Sequence, residues 1–424
     1  MAELERSPLS AGEDNISVDA ARAAIRAALT PIAGTETVPL VAARGRVLAA
    51  DVISPIDVPA HDNSAMDGYA FDGAALRDGV ALELRSVGTI HAGHAPAGPL
   101  AAGECVRIMT GAVMPAGLDT VVPLELCRVD GDMVRIAPGV IRAGENRRRR
   151  GEDLTAGRPA IAAGRVLRPA DIGLVASLGL TEIEVRRRLR VAVFSTGDEV
   201  VAPGQPLPPH CIYDSNRYAL LAAIERLGME AIDLGLLRDD PVMLEAALRD
   251  AANRADAIVT SGGVSAGDAD YTRDIIERLG EVQFWKVAMR PGRPFAFGVL
   301  HGDDGAHAAF LFALPGNPVA SLVTFYVFAR EALLVLAGAE PEPIPVLQAR
   351  SVAALRKRPG RSEFQRARVS RADDGIWEVR TVGSQGAGIL RSMSEANALI
   401  VLGYGQGSVA AGSPVDVWLF DGWT

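Results

Sequence analysis

Residues 189–337 alternate two textures at regular spacing. "LRVAVFST" is followed by "SNRYALLAAIERLG", "EAIDLGLL" by "DPVMLEAALRDAANRA", and "DAIVT" by "YTRDIIERLG". Short apolar runs that trade places with amphipathic segments of helical period predict βαβ units. They build a mostly parallel sheet covered on both faces. After "VQFWKVAM", "PFAFGVL" and "AAFLFAL" comes a long apolar stretch, "PVASLVTFYVFAREALLVLAG". Arg330 and Glu331 interrupt it, so it reads as a buried helix and not as a membrane span, which needs about 20 apolar residues.

The whole chain has 424 residues, which predicts two to four domains. An amphipathic helix, "SVDAARAAIRAAL", opens the ordered part, with Ser17 and Asp19 as cap residues. From Pro55 to Gly151, β-rich runs such as "ALELRSVGTI" and "CVRIMTG" alternate with Gly/Pro turns. A second helical patch, "RPADIGLVASLGL", follows. A β module between two helical patches predicts an insertion into one discontinuous helical domain. The last part, to residue 424, is strand-rich with basic turns and reads as a small β-barrel or sandwich. No repeat of 20 to 50 residues is visible.

Charge and composition exclude several classes. A net charge of -9 and 5% aromatic residues argue against a nucleic-acid surface or a base-stacking platform. Cys105, Cys127 and Cys211 form no CxxC pair, so neither a disulfide framework nor a zinc site is expected, and a reduced cytoplasmic setting fits best. His91 and His94, in "HAGH", sit in a Gly/Pro/Ala loop, not in a metal motif. The acidic, polar start "MAELERSPLSAGEDNIS" is neither a secretory signal nor a transit peptide.

Chemistry gathers at the strand exits, where open α/β sheets bind ligands. Three strands end in loops short of side chains: "STGDE" (195–199), "SGGVSAGDAD" (261–270) and "LPGNP" (314–318). Backbone amides in such loops, with a helix start behind them, receive anions, phosphate above all. The carboxylates Asp198, Glu199, Asp268 and Asp270 would repel phosphate unless a divalent cation intervened, which implies magnesium. A further exit, "WKVAMRPGRP", carries Lys286, Arg290 and Arg293 on a proline-stiffened backbone that suits an oxyanion.

The ordered set of motifs resembles the molybdopterin molybdenumtransferase family, the MoeA and gephyrin E-domain group. It runs through "DVPAHDNSAMDGYAF" (57–71), "VRIMTGAVMP" (106–115), "NRRRRGEDL" (146–154), "VFSTGDEV" (193–200), "YDSNRYAL" (213–220) and "LRDDP" (237–241). It continues through "TSGGVSAGDADYT" (260–272), "PGRPFAFG" (291–298), "LPGNPVAS" (314–321) and "RPGRSEFQRA" (358–367). The resemblance covers nearly the whole chain. It implies a multidomain α/β plus β protein: a discontinuous N-terminal helical domain (1–54 and 152–187), an inserted β-rich domain (55–151), a molybdopterin-binding α/β domain (188–338) and a C-terminal β domain (339–424). It further implies an elongated homodimer whose cleft lies between the α/β domain of one subunit and the inserted domain of the other. The implied reaction inserts molybdenum from molybdate into adenylylated molybdopterin and releases AMP, with Mg²⁺. A pterin-adenylylating partner supplies the substrate and molybdoenzymes take the product.

Carried over residue by residue, the resemblance puts Asp67, Thr110 and Asp153 on the partner-subunit wall. Glu199, Asp239, Asp270, Lys286 and Arg290 fall on the α/β domain, with Arg361 reaching in from the C-terminal domain. Glu199 and Asp270 are the candidates for magnesium, and Lys286 for the developing phosphate charge. Arg290, Arg293 and Arg361 are the candidates for molybdate. Ser261, Gly262 and Gly263 bring backbone donors to the pterin or its phosphate, and Ser195, Thr196, Gly197, Pro294, Pro315 and Asn317 complete the lining. The chain departs from the family at "RPGRP", where "KPGKP" is frequent, and at Ala387, where a serine is frequent; Ser384 or backbone would then serve the oxyanion. Two rival readings are a dimeric scaffold of the gephyrin type and the pterin-adenylylating enzyme of the same pathway.

Overall fold

The computed structural model describes residues 15–94, 98–238, 240–263, 270–303 and 307–420, with the main chain alone at 270–273. Its centre is a six-stranded sheet. The strand order is Glu230–Leu237, Arg190–Thr196, Ala257–Ser261, Ala308–Leu314, Pro294–His301 and Gly280–Lys286. The first four run parallel, and Pro294–His301 is antiparallel to both its neighbours. Successive side chains of one strand serve opposite cores, as the period of two requires. Val191 and Val193 pack with Leu220, Ile224, Val319 and Val323 on one face. Ala192 and Phe194 pack with Leu244, Leu248, Ile275 and Ile276 on the other. Helices Asn216–Arg226 and Pro318–Thr324 therefore cover one side, and Pro241–Arg254 and Asp270–Leu279 the other.

The apolar stretch after Asn317 is a core helix: 78% of its apolar window, within Pro318–Leu336, is buried. It contains a π-helical turn at Phe325–Ala329. The N-terminal helix Val18–Ala28 lies against it. Ser17 caps that helix by accepting the amide of Ala20 at 3.1 Å. Val18, Ala21 and Ile25 join the same core as Val327 and Phe328, and Arg22 Nε donates to the Val327 carbonyl at 2.9 Å. The helix thus packs on the central domain, whereas Pro169–Ser177 shares a separate core with Leu48, Leu167 and Val185.

Around that smaller core the chain leaves and returns in paired strands. Thr35–Pro39 pairs with Glu182–Arg186, and Val52–Ile53 with Pro159–Ile161. Between them lies an open six-stranded half-barrel. Its order is Thr120–Pro123, Gly68–Phe71, Glu104–Ile108, Leu82–Ile90, Met133–Ile136 and Cys127–Asp130. The C-terminal part is a closed barrel, not a sandwich. Ser362–Arg371, Trp377–Thr381, Val346–Ser351, Pro414–Leu419 and Ala398–Leu402 follow in order, and the last pairs back onto the first. A short strand of the central domain, Met289–Arg290, joins this barrel by pairing with Ser362 and Glu363.

Candidate active site

Parallel pairing sets Ser195, Ser261 and Leu314 side by side, so the three sparse loops emerge as neighbours at one edge of the sheet. Close approach explains their glycines. Gly262 has φ +98°, and a Cβ there would lie 2.8 Å from Thr196 Oγ1 and 2.9 Å from the Thr196 carbonyl oxygen. The amide of Gly262 donates to the Leu314 carbonyl at 3.0 Å, locking the second loop to the third.

One side chain ties the loops together. Asn216, in the first turn of its helix, donates through Nδ2 to Ser261 Oγ and to the Gly316 carbonyl, both at 2.7 Å. Behind it, Ser195 Oγ donates to Asp214 at 3.0 Å, and Arg217 Nε donates to the same buried carboxylate at 2.8 Å. Sequence reasoning assigned no role to Asn216, Asp214 or Arg217. Their signal was their place: polar residues at a helix start facing strand exits.

Glu199 is exposed, and among the described residues its carboxylate has no hydrogen-bond or ion-pair partner. The side chain of Asp270 and residues 264–269, Asp268 included, lie outside the described residues, as does Asp239. The N-cap of Pro241–Arg254 is Asp240, which accepts the amides of Val242 and Met243. Among the described residues no three His, Cys, Asp or Glu side chains converge as a ready-made metal cage. Magnesium does not require one, because it takes one or two carboxylates and completes its shell with phosphate oxygens and water. Glu199 has the right donor chemistry.

The cationic exit is displayed on a fixed backbone. Val287, Ala288, Met289, Pro291 and Gly292 are buried, while Lys286, Arg290 and Arg293 are exposed. The amide of Val287 donates to the Arg293 carbonyl at 2.7 Å, closing the segment on itself. Ile16 braces it from the side, donating to Lys286 O and accepting from Ala288. Gly292, with φ +97°, presses on the core helix; a Cβ there would sit 2.2 Å from Thr324 Oγ1. Pro294 begins the strand paired with Lys286, and Pro315 is buried beside exposed Gly316 and Asn317.

Through the pairing of Arg290 with Glu363, the barrel brings its own groups to this exit. Arg361 Nε and Nη2 each lie 2.9 Å from Glu363 Oε1, and Glu363 is 2% exposed. A cavity of about 230 Å³ opens here, lined by Arg290, Glu363, Gln365, Arg366 and Gln385 among others. Ser384 is exposed on the segment that follows the strand Trp377–Thr381, and the Ala387 carbonyl accepts the amide of Val319 at 3.0 Å.

The inserted half-barrel assembles a separate cluster. Asp67 accepts both the amide and the hydroxyl of Thr110 at 2.7 Å. These bonds, the amide first and then the hydroxyl, hold the Asp67 carboxyl below its ordinary range. The arginine run is largely neutralised internally. Arg147 pairs with Asp62 at 3.6 Å, Arg148 with Glu152 at 3.0 Å and Arg150 with Asp57 at 2.6 Å. Asp153 forms none of these pairs; its amide donates to the Val58 carbonyl. Among the described residues, no hydrogen bond or ion pair joins 55–151 to 188–338. Asp67, Thr110 and Asp153 thus make no such bond to the described residues of the strand exits, and Asp67 and Thr110 bond to each other instead.

Comparison with known proteins matches the chain in three consecutive parts. Residues 16–179 match the MoeA N-terminal region (domain I and II), 192–334 a probable molybdopterin binding domain and 348–420 the MoeA C-terminal region (domain IV). A molybdopterin molybdenumtransferase from Haemophilus influenzae is 39% identical over 407 residues, 96% of this chain and 99% of that protein. Molybdopterin molybdenumtransferase 2 of Mycobacterium tuberculosis is also 39% identical, over 90% of this chain and 94% of its own length. Among solved structures, a molybdopterin biosynthesis MoeA protein from Pyrococcus horikoshii superposes with a TM-score of 0.78 at 26% identity, covering 96% of this chain and all of that one.

Proposed function

The chain belongs to the MoeA family of molybdopterin molybdenumtransferases, and from that premise we propose that it inserts molybdenum from molybdate into adenylylated molybdopterin and releases AMP. A transferase of molybdenum cofactor biosynthesis needs two adjoining sites, one for a phosphate-bearing pterin and one for a tetrahedral oxyanion. The observation that carries this reading is the pairing of Met289–Arg290 with Ser362–Glu363. It sets the cationic exit of the α/β domain against the barrel's Arg361, beside the sheet edge where the three loops meet.

In this reading Gly263, with positive φ, offers its amide to the pterin phosphate, Gly262 fixes the loop through its bond to Leu314, and Asn216 keeps Ser261 and Gly316 in register behind them. Ser195, Thr196, Gly197, Pro315 and Asn317 line the same edge. Glu199 and Asp270 would hold magnesium, which when bound neutralises the charge of the pyrophosphate. Lys286 steadies the phosphate that leaves, because phosphoryl chemistry depends on positioning and charge more than on covalent help. Arg290, Arg293 and Arg361 grip molybdate by bidentate bonds. Asp67, Thr110, Asp153 and Asp239 complete the cleft, the first three from a second subunit in a homodimer. The setting is the cytoplasm. An enzyme that adenylylates the pterin acts before this step, and molybdoenzymes take the product after it.

The test is AMP release from adenylylated molybdopterin by the purified protein with Mg²⁺, with and without molybdate. Molybdate-dependent release, giving a product that activates a cofactor-free molybdoenzyme, is the expected result. Tight binding with no release under any condition would support a dimeric scaffold instead. Adenylylation of the pterin from ATP would move the protein one step earlier in the pathway.

A further inference from the structure

Among the described residues, Arg366 is the largest side chain with no exposed surface. Among the described residues it forms no ion pair, although buried Arg217 and Arg46 each have a carboxylate. Burial, reinforced by the nearby charge of Arg290, pulls its pKa down to about 10. Apolar side chains of similar volume avoid such a cost and often replace buried charges without loss of stability. A role beyond filling space therefore has to be sought in what the guanidinium holds.

It holds one turn of backbone. Nη2 donates to the carbonyls of Ser384 (3.0 Å) and Gly386 (2.9 Å), Nη1 to that of Gln385 (3.3 Å), and Nε to Ser392 Oγ (3.0 Å). From the other side, Gln385 grips the Arg366 main chain, accepting its amide at 2.9 Å and donating to its carbonyl at 3.1 Å. Three successive carbonyls converge on one cation. In a trans peptide each carbonyl is opposed by the next residue's N–H, so the amides of Gln385, Gly386 and Ala387 turn the other way. Among the described residues none of these three amides has a hydrogen-bond acceptor. Backbone amides without an acceptor can serve an anion, and these lie beside exposed Ser384, close to Arg290 and the start of helix Pro318–Thr324.

We infer that Arg366 is a positioning residue: by drawing the carbonyls of Ser384, Gln385 and Gly386 inward, it presents the amides of Gln385, Gly386 and Ala387 as oxyanion donors. The inference rests on the proposed reaction, with molybdate as the oxyanion. It also accounts for Ala387, which has no hydroxyl to offer. The donors are backbone groups, and the residue that aims them has no exposed surface. Only a planar fork with five donors reaches three consecutive carbonyls and a hydroxyl at once, so lysine is not an equivalent.

The experiment is steady-state AMP release by wild type, R366Q and R366K, with each substrate varied in turn and thermal unfolding recorded. For folded R366Q the expected result is a rise in the KM for molybdate of about tenfold or more, the loss of a bond to a charged ligand. The KM for adenylylated pterin should stay within about twofold, because the three strand-exit loops are untouched. R366K should recover part of the molybdate KM. A folded R366Q with an unchanged molybdate KM, or with both KM values raised equally, overturns the inference. Should R366Q fail to fold, Q385A decides. It releases the same segment without burying or removing a charge, and it must raise the molybdate KM selectively or the inference falls. Wild-type protein without molybdate-dependent release would defeat the proposed reaction itself, an outcome distinct from an active wild type matched by its variants.

Discussion

A single methyl group at Gly262 tests how tightly the strand exits are packed. Its φ of +98° and the 2.8 Å approach to Thr196 Oγ1 leave no room for a Cβ, and the carbonyl at 2.9 Å cannot swing aside. Gly262→Ala is expected to cost about 1–3 kcal/mol in urea unfolding and to depress turnover more than stability alone would. Gly403→Ala, with nothing within 4 Å of the added carbon, is the neutral control. A different single-residue effect belongs to Asp67, whose carboxyl is held low by the amide and then the hydroxyl of Thr110. Since its folded pKa is depressed, its contribution to stability is present above the ordinary carboxylate range and is lost as pH falls through the depressed value. Thr110→Val removes only the hydroxyl bond. The Asp67 titration midpoint, read by carboxyl NMR, should move up toward the ordinary range without reaching it; an unmoved midpoint would mean the hydroxyl bond is not formed in solution.

Among the elements, Asp256 shows how the starts of the central strands are fastened. Its carboxylate accepts Arg187 Nη1 and Nη2 at 2.8 and 2.7 Å and the amide of Arg190 at 2.8 Å. Burial alone would raise its pKa, but the Arg187 guanidinium and the Arg190 amide bring it below the usual value. Asp256→Ala leaves Arg187 without its partner. Arg187 is about one-third exposed, so the loss should be about 2–3 kcal/mol, under the range for fully buried pairs. The sign again follows from a depressed carboxylate: the wild-type advantage should be full at neutral pH and vanish as acid protonates Asp256, seen as converging melting temperatures. The sheet that Asp256 anchors was legible in the sequence because alternating apolar and amphipathic runs leave few other folds. What joins the elements was not. No local pattern indicates that Val18–Ala28 packs on the central domain, or that Met289–Arg290 pairs with a barrel strand some 70 residues on. Arg366 was hidden for the opposite reason: an arginine in a strand reads as solvent-facing, since arginines are almost never fully buried unless paired.

For the molecule as a whole, the proposed cleft draws on two parts of the chain, the inserted domain and the α/β domain, that share no hydrogen bond or ion pair among the described residues. One chain carries Asp67 and Thr110 on its half-barrel and the cationic exit at its sheet–barrel junction. In the homodimer proposed above, a cleft that uses both groups draws them from two copies, with each half-barrel facing the other subunit's sheet. This predicts complementation. Asp67→Asn and Glu199→Gln, each inactive as a homodimer, place their defects on opposite walls. After unfolding and refolding together, half of the dimers are mixed. Each mixed dimer has one cleft with both defects and one with neither, so about a quarter of wild-type AMP release should return. If each cleft instead drew both walls from one chain, every cleft in the mixture would carry a defect and no activity would return. Recovered activity in the refolded mixture, absent when the two variants are mixed without unfolding, would assign the cleft to the pair of subunits and make dimerisation a condition of catalysis.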